Sequence, residues 1–240
     1  MTSSAAKIAI LLNGPKYCGK DTAASALLEA FGSSASIFRF TVPVKEETHR
    51  RYGLDVAYDH FEDQNIKDAP LPEFGGLSPR QAYIKVGDEL RAEHGPDIVT
   101  RMLCDNIRSS GVPVVVNPDC GGDGEAEGIV DLLGYDRVIV FRIHKEGHDY
   151  AGDSRNWVTS EKVRKIDIVN VAGQVSDYLS TVRHIAEMFR NSVLALGVSG
   201  NADAICRNMT EVERSEMEGL TAGLHARARD IMADRGRKFG

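Results

Sequence analysis

Asn13-Gly14-Pro15-Lys16-Tyr17-Cys18-Gly19-Lys20-Asp21-Thr22 stands between an apolar run, Ile8-Ala9-Ile10-Leu11-Leu12, and a helix-forming segment, Ala23-Ala24-Ser25-Ala26-Leu27-Leu28. The run is short and unbroken, as in a strand buried on both faces of a parallel sheet. Gly14 and Gly19 let the backbone turn so that successive N–H groups point inward and form an anion nest. The helix N-terminus adds unpaired N–H groups and partial positive charge. Lys20 supplies a mobile full charge suited to β- and γ-phosphates. Strand, glycine-framed loop, lysine and helix in this order predict a nucleoside triphosphate site built from Asn13, Gly14, Lys16, Cys18, Gly19, Lys20, Asp21 and Thr22. A glycine-rich turn before an ordinary helix is the bland alternative, and both flanks argue against it. The loop has one peculiarity. Asp21 follows the lysine, and the hydroxyl arrives a residue later at Thr22, which is the expected Mg²⁺ ligand. Asp21 is either a carboxylate of the metal shell or acceptor side, or a helix N-terminal charge favoured by the dipole.

Working outward, 240 residues with 42% hydrophobic content support one substantial domain, or one with a small appendage. No apolar run is long enough to cross a membrane. The N-terminal Met1-Thr2-Ser3-Ser4-Ala5-Ala6 ahead of the first strand is too short for a signal peptide. Cys18, Cys104, Cys120 and Cys206 lack paired ligand spacing and read as free thiols of a cytoplasmic protein, Cys18 as loop filler. His49, His60, His94, His144 and His148 show no ligand spacing either, so none is assigned to a metal. A net charge of −6 gives no general attraction to nucleic acid, and a polymeric substrate would need a local basic groove.

Along the chain, Gly32-Ser33-Ser34 breaks the first helix, and Ser36-Ile37-Phe38-Arg39-Phe40 reads as a second strand ended by Val42-Pro43. Lys45 to Tyr52 is polar and helical. From Gly53 to Pro79 the composition turns to Asp, Pro, Gly and aromatics, which predicts a surface excursion. Ser78-Pro79-Arg80-Gln81 opens a helix with a serine cap and a proline in the first turn. A further helix follows Gly95-Pro96-Asp97. Val112-Pro113-Val114-Val115-Val116 is a third strand, with Asn117-Pro118-Asp119-Cys120-Gly121-Gly122 at its C-terminal end, where open α/β sheets keep their chemistry. Glu125–Leu133 is helical, Arg137–Ile143 a fourth strand, Ile166–Val171 a fifth, and Val175 to about Phe189 the last helix of the sheet domain. Alternating strands and helices predict a three-layer α/β domain over residues 1–190 around a parallel sheet of about five strands. Residues 191–240, with the basic end Arg235, Arg237 and Lys238, read as a helical C-terminal extension or as a contact for a second copy in a homodimer.

Several of these stations resemble the nucleoside monophosphate kinase-like group of P-loop proteins, most closely the phage deoxynucleoside monophosphate kinases. The likeness rests on Gly19-Lys20-Asp21-Thr22, on Phe40 to Lys45, on Pro79-Arg80-Gln81 with Val86-Gly87, and on Asp167-Ile168-Val169-Asn170-Val171-Ala172-Gly173 with Leu179. It covers roughly residues 7–190 and implies ATP as donor with Mg²⁺, an acceptor side over residues 41–95 and a lid over 144–156. It also implies that Asn170 lies in the loop that borders the adenine and that Lys45 is on the acceptor side. A related phage group, the 5-hydroxymethyl-deoxyuridine DNA kinases, acts on a modified base in DNA. The chain departs from the family after the third strand, where an Arg-aromatic pair is replaced within Asp119-Cys120-Gly121-Gly122-Asp123-Gly124-Glu125.

Phosphoryl transfer needs positioning and charge neutralisation more than covalent chemistry, so lysine, Mg²⁺ and arginines are the parts to look for. Lys20 is the first. Asp119 would hold Mg²⁺ through water or orient the acceptor, the alternative being a turn-forming Asp after proline. Arg80 and Arg91, eleven apart on one helix, fall about 20° from one azimuth and could face an anionic acceptor, or be ordinary solvated arginines. Arg142 and Arg155 bracket the expected lid. Arg155, inside it and beside Asp153, is the better candidate for neutralising the transferring phosphoryl group. Two acceptors follow. A free deoxynucleoside monophosphate would be held by Arg80 and Arg91. Alternatively, the hydroxymethyl group of 5-hydroxymethyl-deoxyuridine in DNA would use room opened by Gly121-Gly122, with Asp119 accepting the hydroxyl proton. The glycine pair tilts the expectation narrowly to DNA, against the net charge. A nucleotide-binding switch that hydrolyses slowly is the rival outside the kinases.

Overall fold

Five parallel strands form one sheet in the order β2-β3-β1-β4-β5: β1 (Ile8–Asn13), β2 (Ala35–Ile37), β3 (Val114–Cys120), β4 (Val138–His144) and β5 (Arg164–Val169). The helices are α1 (Lys20–Phe31), α2 (Thr41–Tyr52), α3 (Pro79–His94), α4 (Ile98–Ser109), α5 (Asp123–Leu133) and α6 (Val175–Ser199). The computed structural model describes residues 7–63, 65–153 and 155–199, the last five of these by backbone alone.

Side chains alternate across a strand, so the sheet sorts its residues onto two faces. On one, Ile8, Ile10, Leu12, Val114, Val116, Ile139, Phe141, Ile143 and Ile168 pack with Ala23, Ala24 and Leu27 of α1 and with Tyr178, Val182 and Ala186 of α6. On the other, Ala9, Leu11, Val115, Val138 and Val140 are fully buried, and α5 lies against β1 and β4 with Ala126 and Ile129 buried. These are the expected three layers. All six residues of β1 are buried, which is why that run carries no polar alternation. Truncating a large residue such as Ile10 to alanine would cost roughly 2–5 kcal/mol.

β2 is shorter than expected. It pairs with β3 only from Ala35 to Ile37, and the backbone has turned helical by Thr41, with Pro43 in the first turn of α2. Val42-Pro43 therefore starts a helix instead of ending a strand. β3 runs further than expected, through Asn117-Pro118-Asp119-Cys120. Pro118 is tolerated because it lies past the last β2 partner, Val116, and the register with β1 slips between Leu11↔Asn117 and Asn13↔Cys120.

The chain divides into two compact units, one comprising the residues up to Ile37 and from Gly111 on, the other Phe38–Ser110. The second unit holds α2, α3 and α4. Its segment 53–79, expected as a surface excursion, carries a small core of its own. Phe61 and Phe74 meet edge to face at 5.0 Å and are buried with Ala82, and Tyr52, Leu54, Leu71 and Tyr83 pack around them. Ser78 closes a full capping box on α3: its hydroxyl accepts from the Gln81 N–H at 3.2 Å, and its own N–H donates to Gln81 Oε1 at 2.9 Å. α6 continues past the expected end to Ser199, and the remainder of the expected extension, with its basic end, lies outside the described residues.

Candidate functional site

The loop between β1 and α1 is closed by two glycines at which any side chain would be strained or crowded. Gly19 has φ +106°, and a Cβ there would sit 2.6 Å from Asn170 Nδ2. A Cβ on Gly14 would come within 2.7 Å of both the Ile143 carbonyl oxygen and Cys18 Sγ, so the loop passes tightly over the end of β4. Tyr17, at the tip, is the strained member: φ is +63° and the side chain is 84% exposed.

Lys20 opens α1 but its side chain folds back under the loop. The ammonium donates to the carbonyls of Gly14 at 2.7 Å and Pro15 at 2.6 Å, with Cys18 Sγ 3.8 Å away. Burial pulls this ammonium below its ordinary pKa, and repulsion from Arg155 adds to the effect against the opposing pull of Cys18. Cys18 is fully buried beneath, its thiol pushed up by the same burial. Asn170 Nδ2 donates to the Cys18 carbonyl at 2.9 Å, and the Tyr178 hydroxyl to the Gly19 carbonyl at 3.0 Å. Asn170 thus holds the loop from below. The Asn13 side chain is likewise committed to the protein: Nδ2 donates to the carbonyls of Cys120 and Asn156, and Oδ1 accepts from the Val158 N–H at 3.0 Å. Lys16, Asp21 and Thr22 are exposed, the last two on the solvent side of the first turn of α1.

Asp119 stands at the register slip near the end of β3, half-buried, with Oδ1 accepting from Asn117 Nδ2 at 3.0 Å. Arg155 belongs to the segment that follows β4. Its guanidinium makes a two-point pair with Asp153, at 3.0 and 2.6 Å. Asp153, chiefly, and Asp119 among others hold the guanidinium above its ordinary pKa, and Arg155 in turn acts on Lys20, so Arg155 lies within electrostatic reach of both Asp119 and Lys20. Gly121 has a steric reason to be a glycine. A Cβ there would fall 2.9 Å from Arg155 Cγ, so the stem of Arg155 takes the room that this glycine leaves.

A cluster that the sequence did not single out lies on the same sheet face as Asn13. Arg142 and Asp167 are direct partners in the β4–β5 register, and His144 is two residues further on. Arg142 Nη2 donates to Asp167 Oδ2 at 2.5 Å, and His144 Nε2 lies 2.7 Å from Oδ1. An ionised carboxylate only accepts, so Nε2 carries the proton. Burial alone would raise the Asp167 carboxyl, but the hydrogen bonds from His144 and Arg142 outweigh it and hold it low. Trp157 stacks on His144 at 4.3 Å and 20°. The available signal was a pair of polar residues, Arg142 and His144, alternating within the apolar run of β4.

In the second unit, Lys45 lines a pocket of about 380 Å³ with Arg39, Thr41, Val42, Tyr58 and Glu62. Its ammonium pairs with Glu62 at 2.6 Å and lies 5.5 Å from the Tyr58 ring and 5.8 Å from that of Tyr83. Arg39, Tyr58 and Glu62 were not anticipated. Arg80 and Arg91 both sit on α3 at the surface, about half exposed, paired with Asp68 at 2.6 Å and Asp88 at 3.2 Å. Among the described residues no group of three or more His, Cys, Asp or Glu side chains could hold a metal ion by itself. Mg²⁺ bound chiefly through substrate phosphates needs only one or two protein ligands, and Asp119, Asp21 and Thr22 offer oxygens of that kind. Among the described residues no helix is long and apolar enough to cross a membrane.

No family model matches the chain. Over 134 residues it is 25% identical to phosphomevalonate kinase of Drosophila melanogaster, a match that covers 56% of this chain and 66% of that protein, just under two thirds of its length. A distant likeness to a kinase and a parallel three-layer sheet agree with a general phosphotransferase.

Proposed function

We propose that the chain is a kinase that transfers the γ-phosphoryl group of ATP to a small phosphorylated acceptor, best a deoxynucleoside monophosphate. One observation carries the donor half: at a helix N-terminus, under a glycine-framed loop, the buried Lys20 ammonium is held at 2.7 and 2.6 Å by two loop carbonyls, with no carboxylate of the described residues among its hydrogen-bond partners. A polyanion is the natural partner of a cation and a helix end placed in this way. Lys20 would leave the Gly14 and Pro15 carbonyls for the β- and γ-phosphates. Arg155 would neutralise charge that develops on the transferring group, and Asp119 would orient the acceptor or reach the metal through water. Mg²⁺, held with the phosphates by Thr22, Asp21 or Asp119, would supply further charge neutralisation.

The acceptor half rests on the pocket of the second unit. Cations from Arg39 and Lys45 beside the Tyr58 ring suit a phosphate joined to a flat base, and about 380 Å³ falls in the usual range for small-molecule pockets. Similarity to a kinase named for a phosphorylated small molecule supports the same class. The reading in favour of hydroxymethyluracil in DNA is the second one: Gly122 faces open space, but the stem of Arg155 takes the room beside Gly121, and the net charge of −6 opposes strand binding. The test is γ-labelled ATP offered with deoxynucleoside monophosphates, with phosphomevalonate and with hydroxymethyluracil-containing DNA. Label in nucleoside diphosphates is the expected result. Label only in DNA or in phosphomevalonate would overturn the acceptor, and label released only as phosphate would overturn the kinase.

A further inference from the structure

The segment after β4 carries Arg155, and each of the next three residues is fastened to the end of a strand. The Asn156 N–H donates to the Gly121 carbonyl, just past β3, at 2.8 Å, and its carbonyl accepts from Asn13 of β1 at 3.0 Å. The Trp157 ring lies flat on His144 of β4. Val158, fully buried, donates its N–H to Asn13 Oδ1 and accepts from Arg142 Nη1 at 3.2 Å. Behind these contacts stands one carboxylate. Asp167 of β5 orients both Arg142 and His144, through separate oxygens. Three strands thus grip residues 156–158 directly and a fourth steadies the grip.

We propose that Asp167, His144, Arg142 and Trp157 are positioning residues that fix Arg155 beside Lys20 and Asp119 before nucleotide binds, so that the segment reaches its working place without closing. The inference builds on the kinase reading for Arg155 but concerns the brace. A hydrogen-bonded, stacked support of this kind reduces the reorganisation needed when charge develops. It also differs from the lid expected over 144–156. His144 is part of β4, and the fastening starts at Asn156, the residue next to Arg155, so any movement would be confined to the turn from Lys145 to Asp153.

Trp157 is the only tryptophan in the chain, so its fluorescence reads the brace directly. Quenching by acrylamide is measured on the full chain without nucleotide, then with ATP and Mg²⁺. The expected result is a Trp157 that is shielded from the start, with a quenching constant changing by less than about 1.5-fold on ATP addition. A Trp157 that is freely quenched alone and protected by ATP would mean a closing lid and would overturn the inference, leaving the kinase reading intact. Asp167→Asn should raise quenching severalfold and lower kcat by about 10- to 100-fold while ATP affinity stays within a few-fold of wild type. Unchanged quenching and kcat would overturn the brace. Should Asp167→Asn fail to fold, the pair Trp157→Ala and Trp157→Phe decides: the phenyl ring should restore most of the kcat lost in the alanine variant, and equal activity in the two would overturn the role of the stack. If the wild type neither binds ATP nor turns over, the kinase reading fails, and the quenching data still decide whether the brace is preset.

Discussion

The two units present their charged groups in opposite ways. In the sheet unit, the central candidate groups are sunk into the protein and held in place, while Lys16, Asp21 and Thr22 face solvent: Lys20 is 8% exposed and bonded to two loop carbonyls, Asn13 is fully buried, and Arg155 is gripped by Asp153. In the second unit, Arg80 and Arg91 stand half in solvent, each leaning on an acidic neighbour, while Lys45 is gathered with Arg39 into a pocket. Preorganised charge in a dry site is worth much more than the same charge on a surface. The comparison says that donor chemistry is built into the fold of the first unit. On the acceptor side, the pocket around Lys45 matters more than the exposed arginines.

The sharpest way to break this comparison is to remove its most buried cation. Lys20→Met should reduce phosphoryl transfer by about 10²- to 10³-fold or more, the scale for losing one preorganised charge donor, while circular dichroism stays native. A variant that retains activity would remove the donor half. Next, Gly19→Ala forces a side chain into φ +106° and against Asn170, so it should cost roughly 1–3 kcal/mol in thermal or urea unfolding. No loss would mean that the loop is looser than drawn.

In the second unit, Lys45→Ala should raise the acceptor KM about tenfold, or about 1.4 kcal/mol, with the ATP KM unchanged. A change confined to ATP would move Lys45 to the donor side. Acid titration then tests both units. The Arg155 pair holds the Asp153 carboxyl at about 2, and Arg50 chiefly, with Arg51, holds Glu47 at about 2. Both carboxyls are depressed, so each adds stability above its unfolded pKa near 4, and loses it as pH falls from about 4 through about 2. Asp153→Asn and Glu47→Gln should each flatten that part of the stability curve. Added salt should erase more of the Glu47 contribution, because Arg50 is 72% exposed. The smallest effects belong to Arg80→Ala and Arg91→Ala, each within about 0.5 kcal/mol in stability. A large loss of acceptor binding in either would restore the arginine pair to the acceptor site.

The fold was legible in the sequence where local pattern and burial agree. β1, β4 and α6 begin within a residue of where the sequence puts them, while α1 starts at Lys20, three residues before the apolar segment from Ala23, because its first turn belongs to the loop motif. The errors have physical causes. Pro43 was taken to end a strand, yet it sits in a first helical turn, and β3 runs on through Pro118, which lies beyond the last residue paired with the edge strand β2. The excursion over 53–79 looked superficial because its core is two phenylalanines and an alanine, Phe61, Phe74 and Ala82, spread over some twenty positions without period. At the site, the loop glycines and Lys20 were readable from spacing. The structural duties of Asn13 and Asn170 were not, since their partners lie up to 152 positions away. The Arg142–Asp167–His144 cluster exists only through the pairing of β4 with β5, which no local pattern encodes.

Calorimetric titration of the full chain with ATP in the presence and absence of Mg²⁺, alongside Lys20→Met, tests the central claim most directly. A triphosphate seated in the Asn13–Thr22 loop predicts saturable one-to-one binding in the wild type that strengthens with Mg²⁺. It predicts an affinity reduced by roughly tenfold or more in the variant, in keeping with loss of a charged hydrogen bond of about 1.5–3 kcal/mol. Undetectable ATP binding by the wild type, or equal affinity in the two proteins, would contradict it.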